Sequence, residues 1–187
     1  MSNDAGLDET RAPWMTPWVT QLVRTYEAHA STRMAGLPVC NPALRVQAVS
    51  FQPWAEACAH AGSPEPGLLG ALITPWFLNL VWRSPAAPWQ GLAVGASREL
   101  DIGGIKLGFI GTHEPELGPL ACCSLISPMF QFNDQATAVA TAEAAMDTLR
   151  QAAREAQAAQ RAASSVEPAM PARRGFLFGR SAARPAP

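Results

Sequence analysis

The stretch "LLGALITPWFLNLVW", residues 68–82, constrains this chain more than any other. It is too apolar to lie on a surface and shorter than the roughly 20 residues that cross a bilayer. Its composition suits a strand buried on both faces. Pro75, however, has no N–H to give a neighbouring strand, so it forbids an uninterrupted ladder. The pattern therefore predicts a central buried strand that ends or bends at Thr74-Pro75-Trp76.

The flanking segments read in the same terms. "CNPALRVQAVSFQPW" alternates, with Leu44, Val46 and Ala48 on one side and Arg45 and Gln47 on the other, as a half-buried strand does. Gly and Pro in "AHAGSPEPG" separate it from the apolar run, and "SPAAPWQG" is a loop. "RELDIGGIKLGFIGTHE" reads as two strand segments broken at Gly103-Gly104, and "PLACCSLIS" as a further strand entered from the turn-like "HEPELG". No helix fits between these strands, so the pairing is predicted to be antiparallel.

Two helices complete the expectation. Thr16 is predicted to cap the first, Pro17 suits its first position, and Val19, Leu22, Val23, Tyr26 and Ala30 recur at helical spacing until about Met34 to Gly36. After the capping pair Asn133-Asp134, an Ala-rich helix is predicted to about Ala163, with Val139, Ala142, Met146, Leu149, Ala153 and Ala156 on one stripe. Past Leu149 the stripe holds only alanine, so the second half is expected to stay exposed or to fray. With 187 residues, 48% of them hydrophobic, one domain with a real core is expected.

The predicted fold class is α+β: a single domain in which an antiparallel β-sheet is packed by the N-terminal helix and the long Ala-rich C-terminal helix. Residues 1–13 are a polar disordered start, 14–163 the domain, and 164–187 a flexible Pro/Arg-rich tail. Residues 1–149 carry seven basic and thirteen acidic side chains, whereas 150–187 carry seven arginines and two glutamates. No stacking platform accompanies that basic tail, so nucleic acid is not an expected partner. The N-terminus "MSNDAGLDET" has no basic start followed by an apolar export segment, and the chain is expected to be soluble and cytoplasmic.

Chemistry-bearing residues are sparse. Cys40, Cys58, Cys122 and Cys123 are too few and too irregular for a secreted disulfide framework. Cys58-Ala59-His60 could offer two metal ligands, with His113, Cys122 or Cys123 completing a tetrahedron, but there is no C-x-x-C pair. Adjacent cysteines on a strand point to opposite faces, so Cys122 and Cys123 do not readily share a metal. Core filling is the main reading of this pair, and a redox-sensing thiol the remaining one. There is no nucleophile elbow, phosphate loop or dinucleotide fingerprint, and Glu114 and Glu116 read as solvated turn charges. No catalytic set, cofactor or resident metal is expected. Trp82 and Trp89 read equally as core packing or as an aromatic patch that grips an apolar peptide.

Three strings in order, "ITPWFLNLV" from Ile73, "CSLISP" from Cys123 and "RRGFLFGR" from Arg173, resemble the HybE/HupJ family of nickel-iron hydrogenase assembly chaperones. The resemblance covers roughly residues 17–180. It implies a non-enzymatic maturation factor that holds a hydrogenase subunit, with the small iron-sulfur subunit and its twin-arginine export signal favoured, until both subunits can be exported. Some such proteins are fused to, or encoded beside, a rubredoxin and are linked to maturation in oxygen. This chain has no rubredoxin-like C-x-x-C pairs, and it carries "ACC" where one cysteine is usual, which makes Cys122 the less transferable.

The expected partner groove is the sheet margin at Thr74, Pro75, Trp76, Ser127 and Pro128, with Phe130 and Cys123, because both prolines end ladders and leave an open edge. Phe176 and Phe178 are expected to tether back to that margin or dock on the partner, while Arg173, Arg174 and Arg180 seek an acidic surface. The competing expectation is a redox or metal protein acting through Cys123, with Cys58 as its companion.

Overall fold

The computed structural model describes residues 14–54, 67–83 and 92–165. Helix α1 (Met15–Ser31) is followed by strands β1 (Gln47–Trp54), β2 (Gly67–Ile73), β3 (Leu78–Arg83), β4 (Ser97–Ile102), β5 (Ile105–Glu114) and β6 (Gly118–Ile126), and then by helix α2 (Gln135–Ser165). All six strands form one sheet in the order β1-β2-β3-β6-β5-β4, and every neighbouring pair is antiparallel. The architecture is α+β. Two three-stranded meanders meet along the β3–β6 pair, which makes the chain around Pro75 and the chain around Pro128 neighbours.

The apolar run of residues 68–82 becomes a hairpin. Every residue of β2 is buried, and β3 returns beside it in register from Ile73↔Leu78 to Leu68↔Arg83. Pro75 stands in the turn between them, where its missing N–H costs no ladder bond. The second hairpin turns at Gly103 (φ 62°) and Gly104 (φ 88°), a pair of positive values that favours glycine and matches the strand twist.

Strand β1 is an edge strand, which is why it tolerates Pro53. It starts at Gln47, later than the alternation of residues 44–48 predicts. Leu44 packs on the α2 side of the sheet and Val46 on the α1 side, so they do not share a face. The reason is that residues 44–46 lie outside the ladder, which starts at Gln47↔Ile73, and period-two alternation holds only within a paired strand. Within β1 the register slips between Val49 and Gln52 at Ser50 (φ 56°). This bulge sends Val49 toward α2 and Phe51 toward α1. Phe51 lies over Gly70 of β2, where a Cβ would come within 2.3 Å of the ring.

Helix α1 covers one face through Met15, Trp18, Leu22 and Tyr26, which pack against Phe51, Leu68, Leu72, Val81 and Leu120. Thr16 is not its cap. The preceding residue is Trp14, whose carbonyl accepts from the Trp18 N–H at 3.1 Å, and no side chain caps this end. Pro17 still lies in the first turn, where N–H groups have no helical partner. The helix stops at Ser31, before the expected Met34 to Gly36, and the chain turns through Gly36 (φ 73°).

Helix α2 begins where expected: Asp134 Oδ1 accepts from the Thr137 N–H at 2.7 Å. Ala138, Ala142, Met146, Leu149 and Ala153 line its buried stripe against the other face of the sheet. Burial extends one turn past Leu149, because Gly103 lets the β4–β5 turn approach: a Cβ there would lie 2.2 Å from the main chain of Ala152. The Arg150 guanidinium donates to the Ser50 carbonyl of β1 at 3.2 Å. Both outer strands thus reach the same turn of α2, and the sheet curls around it. From residue 158 to 164 the helix is exposed, as its all-alanine stripe predicts.

Candidate partner-binding site

The β2–β3 turn is built by Thr74. Its N–H donates to the Phe77 carbonyl at 2.8 Å, and its Oγ1 accepts from the N–H groups of Trp76 (3.3 Å) and Phe77 (3.0 Å). Thr74 is fully buried and its hydroxyl is satisfied locally, so it shapes the turn. Leu78 pairs with Ile126, so the residues after β6 lie beside this turn, and the Ser127 hydroxyl donates to the Trp76 carbonyl at 3.1 Å. The Ser127–Pro128 peptide is cis.

A residue that sequence reasoning missed ties these loops together. Asn41 donates its main-chain N–H to the Pro75 carbonyl at 2.8 Å. Its side-chain amide donates to the carbonyls of Met129 (3.0 Å) and Phe132 (2.7 Å), and its Oδ1 accepts from the Ala43 N–H at 2.9 Å. Asn41 is buried, and Met129 and Phe132 beneath it belong to the core facing α2. The only local hint was an Asn-Pro pair, a turn signal that fell inside an apparently alternating segment.

Around this anchor, Ser127 and Pro128 are exposed, Pro75 and Trp76 are half-buried, and Phe130 is 55% exposed. Leu37 (44%) and Val39 (37%), in the same connection as Asn41, are exposed as well. The expected open sheet edge is corrected. Residues 74–77 and 127–128 close the ends of β2, β3 and β6, which are interior strands; the lateral edges are β1 and β4. Interior strands have ladder partners on both sides, so what this end offers is loop side chains, not free backbone groups.

Cys123 and Cys122 face opposite sides of the sheet, as strand alternation requires. Cys123 is buried in the cluster under α2, and Cys122 packs on the α1 side. Cys123 therefore does not reach the loop surface. Burial pushes both thiols up; Cys122, with Glu114 nearby adding to the effect, reaches about 12. A protonated, buried thiol is a weak nucleophile.

Glu114 and Glu116 are not free turn charges. Glu116 Oε2 accepts from Gln21 Nε2 (2.6 Å) and Thr25 Oγ1 (3.2 Å), and Glu114 lies 3.3 Å from His29 Nε2 and 3.7 Å from Arg33. Together with the Trp18 indole donating to the Leu117 carbonyl at 3.2 Å, they fasten α1 to the β5–β6 turn. Trp82 is fully buried, so core packing holds for it. Among the described residues no group of His, Cys, Asp or Glu is placed to hold a metal. Cys58, His60, Trp89, Arg173, Arg174, Phe176, Phe178 and Arg180, like residues 1–13 and 166–187, lie outside the described residues.

Residues 17–179 match the family described as NiFe-hydrogenase assembly, chaperone, HybE. The chain belongs to the HybE family. Protein HoxT of Cupriavidus necator is 42% identical over 87% of this chain and 88% of its own. The hydrogenase expression/formation protein HupJ of Bradyrhizobium diazoefficiens is 35% identical over 87% of this chain and 88% of its own. A probable rubredoxin HupJ of Rhodobacter capsulatus is 33% identical over 74% of this chain but only 47% of its own length. The solution structure of HybE from Escherichia coli aligns over 89% of this chain and 91% of that one, at 21% identity and a TM-score of 0.47. As a HybE-family member, this chain has its loop cluster built from two of the three strings that carry the resemblance.

Proposed function

We propose that this HybE-family chain is a non-enzymatic chaperone of the cytoplasm that holds a nickel-iron hydrogenase subunit through the loop surface of Pro75, Trp76, Ser127, Pro128 and Phe130. Its client is the small iron-sulfur subunit before twin-arginine export, and its holding role extends to maturation in oxygen. A rubredoxin is a further partner, a reading supported by the relative that carries that name. Arg173, Arg174, Phe176, Phe178 and Arg180 dock on the client as a second, independent contact.

The observation that carries this reading is exposed Phe130 and half-buried Trp76 on two loops that one frame of hydrogen bonds holds together. Aromatic side chains preorganised in this way lose little entropy on binding and serve as anchors. The test is an affinity pull-down from a hydrogenase-producing cell with retained subunits identified by mass spectrometry. Phe130→Ser is expected to retain its melting temperature and lose the subunit; unchanged capture and maturation by Phe130→Ser and Trp76→Ser would sink the proposal.

The reading through Cys123 is the weaker one, since its thiol sits in the core beneath α2 and burial favours its protonated form.

A further inference from the structure

Arg83 closes β3 at the end of the β2–β3 hairpin opposite Pro75, and it pairs with Leu68, whose side chain packs beneath α1. Its guanidinium lies on that side of the sheet, over two rings of the helix. Cζ is 4.9 Å from the centre of the Trp14 ring and 5.0 Å from that of Trp18. The two indoles stand one helical turn apart, so both contribute to holding the cation.

A ring face meets the charge of a guanidinium, but the five N–H groups around its plane call for oxygen acceptors. No described side chain supplies one. Ion pairs among the described residues use His29, Arg33, Lys106 and Arg150 as their cations. Glu116 adjoins Leu117, whose carbonyl takes the Trp18 indole N–H, yet its Oε2 accepts from Gln21 and Thr25. The first turn of α1 contains no acidic residue. Burial pulls the Arg83 guanidinium below its usual value, as expected of a partly desolvated cation without a counter-charge.

We propose that Arg83, held against Trp14 and Trp18, is the docking site for a carboxylate of the chain's own N-terminal segment, Asp8 or Glu9. Residues 1–13 join the described chain at Trp14, which is itself one wall of the site. Glu9 precedes Trp14 by five residues, a reach of up to about 17 Å. The segment has the complementary sign, with Asp4, Asp8 and Glu9 against Arg11. Other carboxylates fit less well. Glu56 and Glu65 each stand two residues from the Trp54↔Gly67 pair, and Trp54 packs on the α2 side, whereas Arg83 faces α1. Residues 84–91 contain no acid. A carboxylate from another protein competes with a segment tethered at the site, whose effective concentration is on the order of millimolar. The contact lies at the far end of β3 from the Trp76 loop, so it stands apart from the partner-binding reading.

The test uses the full chain and reads both stability and the Arg83 side chain. Asp8→Asn with Glu9→Gln is expected to lower the melting temperature by about 2–4 °C at low salt, a loss that high salt shrinks. In an Arg83→Gln background the same pair of changes should cause no further loss. The Arg83 Nε–Hε resonance, assigned by its disappearance in Arg83→Gln, should be protected from exchange in the parent protein. It should lose that protection in Asp8→Asn with Glu9→Gln and on deletion of residues 1–13. This second measurement decides the matter even where Arg83→Gln folds poorly, because the N-terminal changes leave the Arg83 stack untouched. An unchanged melting temperature and resonance in Asp8→Asn with Glu9→Gln overturn the inference, as does an equal loss in the presence and absence of Arg83. Loss of protection in Glu56→Gln or Glu65→Gln instead assigns the carboxylate to the β1–β2 connection and overturns it. An Arg83 resonance that becomes protected only when a hydrogenase subunit is added overturns it in favour of an external carboxylate.

Discussion

The side-chain amide of Asn41 donates to the main-chain carbonyl of Phe132, 91 residues later, at 2.7 Å. The same nitrogen donates to Met129. A buried amide with both hydrogens placed on loop carbonyls fixes those loops, since each carbonyl left unpaired in the interior is costly.

Asn41→Ala removes both donated bonds and the bond accepted from Ala43, and is expected to destabilise the fold by about 1–3 kcal/mol. Asn41→Asp should behave similarly, because a carboxylate cannot donate to Met129 and Phe132. Chemical denaturation of both variants checks this. A midpoint unchanged from the parent protein would show that the anchor is dispensable.

Gly70→Ala should be destabilising by about 1–3 kcal/mol through overpacking against Phe51. Phe51→Leu removes the ring that the new methyl meets. The double variant is therefore expected to be more stable than the sum of the single changes by about 1 kcal/mol or more. Strict additivity in urea unfolding would contradict the contact.

Alkaline sensitivity follows from Cys122. Its folded-state value, about 12, lies above the unfolded value near 9, so the folded form holds its proton more tightly. The stabilisation is complete below the unfolded value and disappears as pH rises toward the folded one. Buried Tyr26, whose phenol is also pushed up, acts in the same direction. Denaturation midpoints should fall between about pH 9 and pH 11 in the parent protein and fall less in Cys122→Ala. An identical pH profile for the variant would refute the assignment.

Cys123 should resist a maleimide reagent at neutral pH in the folded protein and react on unfolding, since its burial favours the thiol. Mass spectrometry of peptides after timed labelling resolves the cysteines. Cys123→Ala is expected to sustain hydrogenase maturation. Rapid native labelling of Cys123 together with failed maturation in Cys123→Ala would restore the redox reading.

What the sequence determined was whatever a local rule could carry. Pro75 ended a strand because proline cannot donate, Gly103-Gly104 turned a hairpin because both positions need positive φ, and Asp134 capped α2 because its carboxylate reaches the next turn. The opposite faces of Cys122 and Cys123 and the limit of the apolar stripe on α2 followed from periods of 2 and 3.6.

Only the tertiary structure decided the rest. The Ser50 bulge shifted β1 by one residue, which no alternation rule anticipates, and Gly103 carried the docking of α2 to Ala153. Glu114 and Glu116 left the solvated class because α1 supplied His29, Gln21 and Thr25 across 85 to 95 residues. The candidate surface was legible in part, as Pro75, Trp76 and Phe130, but its anchor Asn41 and its neighbours Leu37 and Val39 were not. Hydrogen bonds between residues some 90 positions apart leave no periodic trace in a chain; they exist only once β3 and β6 pair and bring their ends together.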